Sequence, residues 1–387
     1  SIPWKPDEES AASGFVSLVG AGPGDAGLLT VKGRQRLLNA DAVVYDHLAE
    51  TVIPCDLNRD VELHPVGKKA GYHPVPQEEI NHLLIRLAQQ GKRVARLKGG
   101  DPYDFGRGGE EAQALNKAGI PFEVSPCVTA ANAVPGYAGI PVTHRQEVVT
   151  VSLVTAHESS KVGGPQIRWD LLAQDKHSTL VGYMGVTSLP ETVNRLLTAG
   201  MDPETPSAMI ERGTTSRQRV VRARVADLPG AVLRSGIRPP ALFVIGPAVK
   251  HAEQLDWFGS RPLLGERILI PSGGEQSVVE ALEMSGVEVV EVPLPVSPAA
   301  RIVVSAAPLT GCVLQTADEV EALEDERAVR NWGSEVVAYC VDEGAAARAR
   351  ELGWACVEEV FDAPAAQELA RRIGIRRVEA QRNSSME

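Results

Sequence analysis

The chain has 387 residues, more than one ordinary domain holds, and its 36 glycines and 27 prolines against 4% aromatic residues suit a loop-rich α/β enzyme of two or three domains. Its net charge of −11 is uneven, since residues 1–250 carry 27 Lys and Arg against 26 Asp and Glu while residues 251–387 carry 12 against 24, with no lysine. That acidic segment excludes attraction to nucleic acid or an anionic membrane, no apolar run is long enough to span a bilayer, and five cysteines without a CxxC pair and eight histidines without HExxH indicate neither a disulfide framework nor a metal site.

Residues 1–13 open with an acidic stretch that lacks the apolar core of a signal peptide and read as a disordered leader, and the scattered cysteines make the cytoplasm the expected compartment. Phe15–Val19 is a short buried strand, followed by Gly20-Ala-Gly-Pro-Gly-Asp25 and a helical stretch from Leu28 to Ala40. Pro23 and Asp25 interrupt a GxGxxG dinucleotide fingerprint. Ala42–Tyr45 is a second strand, and Asp46 and His47 just past its end face a ligand cleft if the sheet is parallel. Lys68 and Lys69 sit in a glycine-flanked loop, where two cations either stand in water or face an anionic ligand. Ile80, Leu83, Leu84, Leu87 and Ala88 recur at helical spacing and read as core, whereas a lone His82 reads as solvated helix surface.

The stretch Arg96-Leu-Lys-Gly-Gly-Asp-Pro-Tyr-Asp-Phe-Gly-Arg-Gly-Gly-Glu-Glu111 follows a strand and leads into a helix, and its glycines let backbone N–H groups approach a bound molecule. Pro121–Ser125 is another strand, after which Pro126–Asn132 opens a helix. A strand over Val148–Val154 begins a second α/β lobe with strands at Thr179–Tyr183, Ser207–Ile210 and Ala241–Ile245 and a helix at Leu189–Ala199. Arg267–Pro271, helix Gln276–Ser285, Val287–Val292, Val336–Val341 and helix Ala345–Leu352 form a third α/β unit.

The GGDP loop at Gly99–Pro102 resembles that of the tetrapyrrole methylases, and Phe105-Gly-Arg-Gly-Gly-Glu-Glu111 resembles their uroporphyrinogen-III C-methyltransferase branch. The likeness extends over about residues 14–250, through Val19–Thr30, the AGIPVTHR block at Ala138–Arg145 and Tyr183-Met-Gly185. Three positions depart from the pattern: His47 stands for an arginine, Cys127 for a glycine and Ala130 for a serine. The resemblance implies a two-lobed tetrapyrrole methylase fold over residues 14–150 and 151–250. Residues 262–375 resemble a shortened uroporphyrinogen-III synthase, a smaller Rossmann-like α/β domain, and residues 376–387 are expected to be a disordered tail.

It implies an enzyme that uses S-adenosyl-L-methionine, releases S-adenosyl-L-homocysteine, and methylates uroporphyrinogen III at C2 and C7 to give precorrin-2, via precorrin-1, for siroheme or cobalamin synthesis; the default assembly is a homodimer. The implied cofactor contacts are Pro23, Gly99, Gly100, Asp101, Phe105, Thr129, Ala130, Met184, Gly213 and Ala241. Arg107, Arg145, Lys68, His47 and Met184 are implied against a substrate with many carboxylates, which guanidinium groups pair with best. Arg107, Asp46 and Glu110 are the candidates for the chemistry, and a weak base such as Asp46 or Glu110 suits removal of the proton that follows each methylation. Methylation of a later corrin intermediate, a bifunctional synthase–methyltransferase, and a methylase with a non-catalytic acidic docking module are the alternatives. A siroheme synthase fusion is not expected, since no NAD-type GxGxxG segment precedes the methylase blocks.

Overall fold

The computed structural model describes residues 14–67, 75–156, 166–361 and 365–384; the expected leader and the Lys68–Lys69 pair lie outside the described residues. The first sheet contains β1 (Phe15–Gly20), β2 (Ala42–Tyr45), β3 (Glu62–Pro65), β4 (Arg93–Lys98) and β5 (Phe122–Ser125) in the order β3-β2-β4-β1-β5, all parallel. Helices α1 (Val31–Leu38), α2 (Gln77–Gln89) and α3 (Gly108–Lys117) connect them. The stripe on α2 buries Ile80, Leu84, Leu87 and Ala88 against Val16, Leu18, Val44 and Val94, as its spacing requires. Because every strand runs the same way, the loops after β1, β2 and β4 emerge at one edge of the sheet.

The next sheet contains β6 (Thr150–Thr155), β7 (Ser178–Tyr183), β8 (Pro206–Glu211), β9 (Arg219–Arg224) and β10 (Ala241–Ile245) in the order β6-β7-β10-β8-β9. Only β6 and β7 pair in parallel; the other pairings are antiparallel. It is accompanied by α4 (Ala130–Tyr137), α5 (Trp169–Leu172), α6 (Leu189–Thr198), α7 (Leu228–Ser235) and α8 (Ala252–Leu255). Residues 129–264 form a compact unit of their own, so the division falls before α4 rather than near residue 150. The reason is packing: Ala131, Val134 and Ala138 of α4 bury against Val181, Ala208, Ile210 and Val244 of this sheet.

The last sheet contains β11 (Arg267–Pro271), β12 (Glu288–Val292), β13 (Gly311–Leu314), β14 (Val337–Cys340) and β15 (Val357–Glu359) in the order β12-β11-β13-β14-β15, all parallel. Helices α9 (Gln276–Met284), α10 (Pro298–Ala306), α11 (Ala317–Arg330), α12 (Glu343–Glu351) and α13 (Ala365–Ser384) complete it. Residues 376–384 continue α13 where a disordered tail was expected, and Arg376 ties the helix back to Glu358 on β15 at 3.5 Å. This sheet belongs to the same compact unit as residues 1–128. Val296, Ala299, Ala300 and Val303 share one core with Ala49, Val52, Ile53 and Leu57, and Ser297 donates to the Cys55 carbonyl at 2.8 Å.

Inside the first sheet four charges are buried or half-buried together. Arg96 and Lys98, at alternate positions of β4, are 2% and 3% exposed, and Glu111 on α3 is fully buried. Glu111 Oε1 accepts from Arg96 Nε at 3.1 Å, Lys98 Nζ at 2.9 Å and Gln77 Nε2 at 3.2 Å, while Arg96 Nη2 reaches Asp46 Oδ1 at 2.7 Å. Burial, and then the Arg96 charge, push the Lys98 ammonium down from its ordinary value. Burial works against Arg96 too, but the carboxylates of Asp46 and Glu111 more than offset it and hold the guanidinium up.

Two outcomes follow from this packing. Glu111→Gln would leave Arg96 and Lys98 facing a single carboxylate, and losing one partner of a buried ion pair costs about 3–5 kcal/mol; urea denaturation should show a loss of that size, and a change within error would mean the two cations are solvated. A chain ended at Leu264 would expose the segment around Val52, Ile53 and Leu57. At about 1.5–3 kcal/mol for each fully buried aliphatic side chain, the loss should exceed about 2 kcal/mol and lower the thermal midpoint. An unchanged midpoint would show that this segment buries itself without α10.

Candidate active site

The loops after β1 and β4 are tied to each other. Gly22 and Gly100 exchange both backbone hydrogen bonds, at 3.1 and 2.8 Å, and Ala21 N–H donates to the Lys98 carbonyl at 2.7 Å. Both glycines hold positive φ, 71° and 68°, which a side chain would strain. Pro23 follows in the first of these loops. At Gly99 an added Cβ would meet only the Leu48 Cβ, at 3.6 Å, so the backbone lies open there, a fit for a molecule laid against it. Asp101 does structural work: Oδ1 accepts from Tyr103 N–H at 2.8 Å, and Oδ2 accepts from Cys127 N–H at 3.0 Å, binding the loop to the segment after β5. Cys127 does not hold positive φ, so it takes the glycine position without strain; the room comes from Gly20, where a Cβ would fall 2.5 Å from that of Cys127.

At the far end of the β4 loop, Phe105 and Arg107 are both left-handed, with φ of 54° and 60°. Arg107 precedes α3 and its Nε donates to Glu110 Oε1 at 3.1 Å, with both side chains more than half exposed. Asp46 caps a 3-10 helix over His47–Val52 without using its carboxylate as a cap, leaving that group on Arg96. His47 pairs with Glu50 at 3.0 Å. It lines a cavity of about 300 Å³ with Tyr45, Glu50, Pro65, Gly67 and residues Arg301, Ile302 and Ser305 of α10.

In residues 129–264, Thr129 stands at the start of α4 and its hydroxyl bonds the Tyr183 phenol, which also accepts from Ala131 N–H at 2.9 Å. The end of β7 is thereby fixed to the first turn of α4, where Ala130 lies. Met184, next in the chain, is 56% exposed with φ of 53°. Gly213 lies between Arg212 and Thr214, both left-handed, and is a glycine because a Cβ would fall 2.3 Å from a Val134 methyl. Ala241 opens β10 opposite Glu211, and Arg145 is exposed in the turn between His144 and Val148.

Of the seven non-glycine residues with positive φ among the described residues, Phe105, Arg107, Gln146, Met184, Arg212 and Thr214 all lie in or beside the stretches singled out from the sequence. Such strain costs on the order of 1–3 kcal/mol per residue and persists where surrounding structure enforces it, commonly at functional sites. The sequence reading missed Arg96, Lys98 and Glu111. The signal was present, since two basic residues at alternate positions of an otherwise apolar parallel strand require carboxylate partners.

Comparison with known proteins identifies the family. The sequence model of the family described as Tetrapyrrole (Corrin/Porphyrin) Methylases matches residues 16–229, more than half of the chain. Siroheme synthase of Tolumonas auensis is 48% identical over 270 residues, covering 69% of this chain and 57% of that protein. Siroheme synthase 3 of Aeromonas hydrophila subsp. hydrophila is 50% identical over 252 residues, covering 65% and 53%. The match thus spans a little more than half the length of these curated relatives. Among solved structures, uroporphyrin-III-C-methyltransferase from Thermus thermophilus is 40% identical with a TM-score of 0.52, covering 62% of this chain and 96% of that one. The cobalamin biosynthetic enzyme cobalt precorrin-4 methyltransferase CbiF is 29% identical with a TM-score of 0.55, covering 61% and 95%. The chain belongs to the tetrapyrrole methylases, a family of methyltransferases whose cofactor is S-adenosylmethionine.

Proposed function

We propose that the chain methylates uroporphyrinogen III at C2 and C7, giving precorrin-2 by way of precorrin-1, on the route to siroheme or cobalamin. The observation that carries this reading is the loop from Gly99 to Glu111, where an open glycine backbone leads to an exposed arginine held left-handed at the head of α3. The names of the relatives point the same way, toward siroheme and uroporphyrin-III chemistry. The protein is proposed to work as a cytoplasmic homodimer.

Bound S-adenosylmethionine supplies a methyl group that is already electrophilic on a sulfonium, so the chain needs no activated serine or cysteine. The protein's task is alignment, which supplies most of the rate in such transfers. Pro23, Gly99, Gly100, Asp101 and Phe105, together with Thr129, Ala130, Met184, Gly213 and Ala241, are the proposed cofactor contacts. Arg107 and Arg145, with Lys68 and His47 in support, are proposed to hold the substrate carboxylates, and Met184 to touch its ring. Each methylated ring carries a positive charge until a proton leaves. Asp46 is the proposed acceptor in preference to Glu110, because Arg96 holds its carboxylate in one place while Glu110 stands in water against Arg107. For residues 262–375 we propose a shortened synthase-like unit without catalysis, an acidic docking module that also buttresses the segment after Asp46.

Incubation of the purified chain with S-adenosylmethionine and enzymatically generated uroporphyrinogen III should yield a product heavier by two CH2 units, each methyl group having replaced a proton. An unmodified substrate, with methylation seen only on a later corrin intermediate, would replace this reading by its neighbour. Arg107→Lys keeps the charge but removes the planar fork that grips a carboxylate through two bonds. It should lower kcat/KM by at least about tenfold, equivalent to roughly 1.4 kcal/mol, while S-adenosylhomocysteine binding persists. Equal loss of both would indicate a folding defect instead of a substrate contact.

A further inference from the structure

In the turn that carries Arg145, residues 129–264 bring two imidazoles and a carboxylate together. His144 and Glu147 come from one tight turn, closed by Glu147 N–H and Val148 N–H donating to the His144 carbonyl at 3.1 and 2.8 Å, with Gln146 left-handed at φ 72°. His251 ends the 3-10 helix Pro247–His251. Its ring stacks on that of His144, with centroids 4.3 Å apart. Glu147 Oε2 lies 2.8 Å from His251 Nε2 and 3.6 Å from His144 Nδ1, and the ligand-type atoms of all three residues fall within 4.8 Å of one another.

We propose that His144, Glu147 and His251 form a binding site for a divalent transition metal of the zinc class. Zinc–ligand bonds of about 2.0–2.2 Å place tetrahedral donors roughly 3.3 Å apart, so the three side chains must draw closer to hold one ion, and His144 Nδ1 must give up the Arg145 carbonyl 3.1 Å away if that nitrogen is the ligand. Two nitrogens and one carboxylate suit Zn²⁺, Ni²⁺ or Cu²⁺ over Mg²⁺ or Ca²⁺, which take oxygen donors, and water fills what remains of the shell. All three side chains are partly accessible, so an ion can reach them. Lys250 Nζ, 2.7 Å from Glu147 Oε1, is the cation an incoming metal must compete with. An ion here pins the turn that carries Arg145. The site stands on its own donors and does not depend on the methylation assigned above.

Titration of the full chain with ZnCl₂ in metal-free buffer, followed by calorimetry, tests this. One-to-one saturable binding is expected. Removing even an outer partner of a metal ligand commonly weakens affinity about 10- to 100-fold, so His144→Gln, Glu147→Gln and His251→Gln should each weaken it by at least about tenfold, with unchanged circular dichroism showing that the chain still folds. His82→Gln should leave binding unchanged, and Lys250→Met should tighten it, because the competing ammonium is gone. Absence of saturable binding to the parent chain, binding that survives the three ligand substitutions, or a Lys250→Met chain that binds more weakly would overturn the proposal.

Discussion

A carboxylate that nothing else holds still is fixed by a buried arginine. Asp46 leaves the end of β2 with its side chain free of any capping role, and the Arg96 guanidinium, from the neighbouring strand, reaches it at 2.7 Å. Arg96 tolerates burial because Glu111 receives its other edge, and Glu111 tolerates burial because Lys98 and Gln77 share the same oxygen. Two positive and two negative groups thus neutralise one another beneath the edge where the β1, β2 and β4 loops emerge. Buried ion pairs contribute little net stability over well-packed apolar residues, yet breaking one is costly, so such a network holds geometry more than it adds free energy.

The loops above it follow the opposite rule, in which backbone conformation is spent on shape. Gly22 and Gly100 adopt positive φ at no steric cost and lace two loops together. Phe105 and Arg107 adopt it at a cost. Asp101 bridges two segments through both carboxylate oxygens, and Cys127 fits beside it because Gly20 lacks a side chain. Rigid strands beneath and fixed turns above are what an alignment-driven methyl transfer requires.

The C-terminal sheet is joined to this arrangement through an apolar seam. α10 packs on the 3-10 helix that begins one residue after Asp46, and Ser297 and Cys55 share a hydrogen bond across the seam. Its exposed Arg–Glu pairs, such as Arg348–Glu321 and Arg350–Glu359, contribute little to stability. The apolar seam does the joining.

How much was legible in the chain itself divides along physical lines. The strands β2, β10 and β11 lie where apolar β-branched runs placed them, the α2 stripe is buried as its helical spacing demanded, and the GGDP loop sits between a strand and a helix; each depends on local period or on glycine, which sequence displays directly. Edge strand β3 and the charged strand β9 escaped notice because neither is an apolar run. Tertiary structure alone decided that Glu111, fourth in the first turn of α3, is fully buried while its neighbour Glu110 stands in solvent, since only the position of β4 beneath the helix supplies the two cations. It alone decided that α4 packs with the second sheet and that α10 lies on the segment after Asp46. It alone brought His251 onto His144 across a hundred residues, because partners in long-range contact are chosen by the topology of the sheets and leave no periodic trace in either segment.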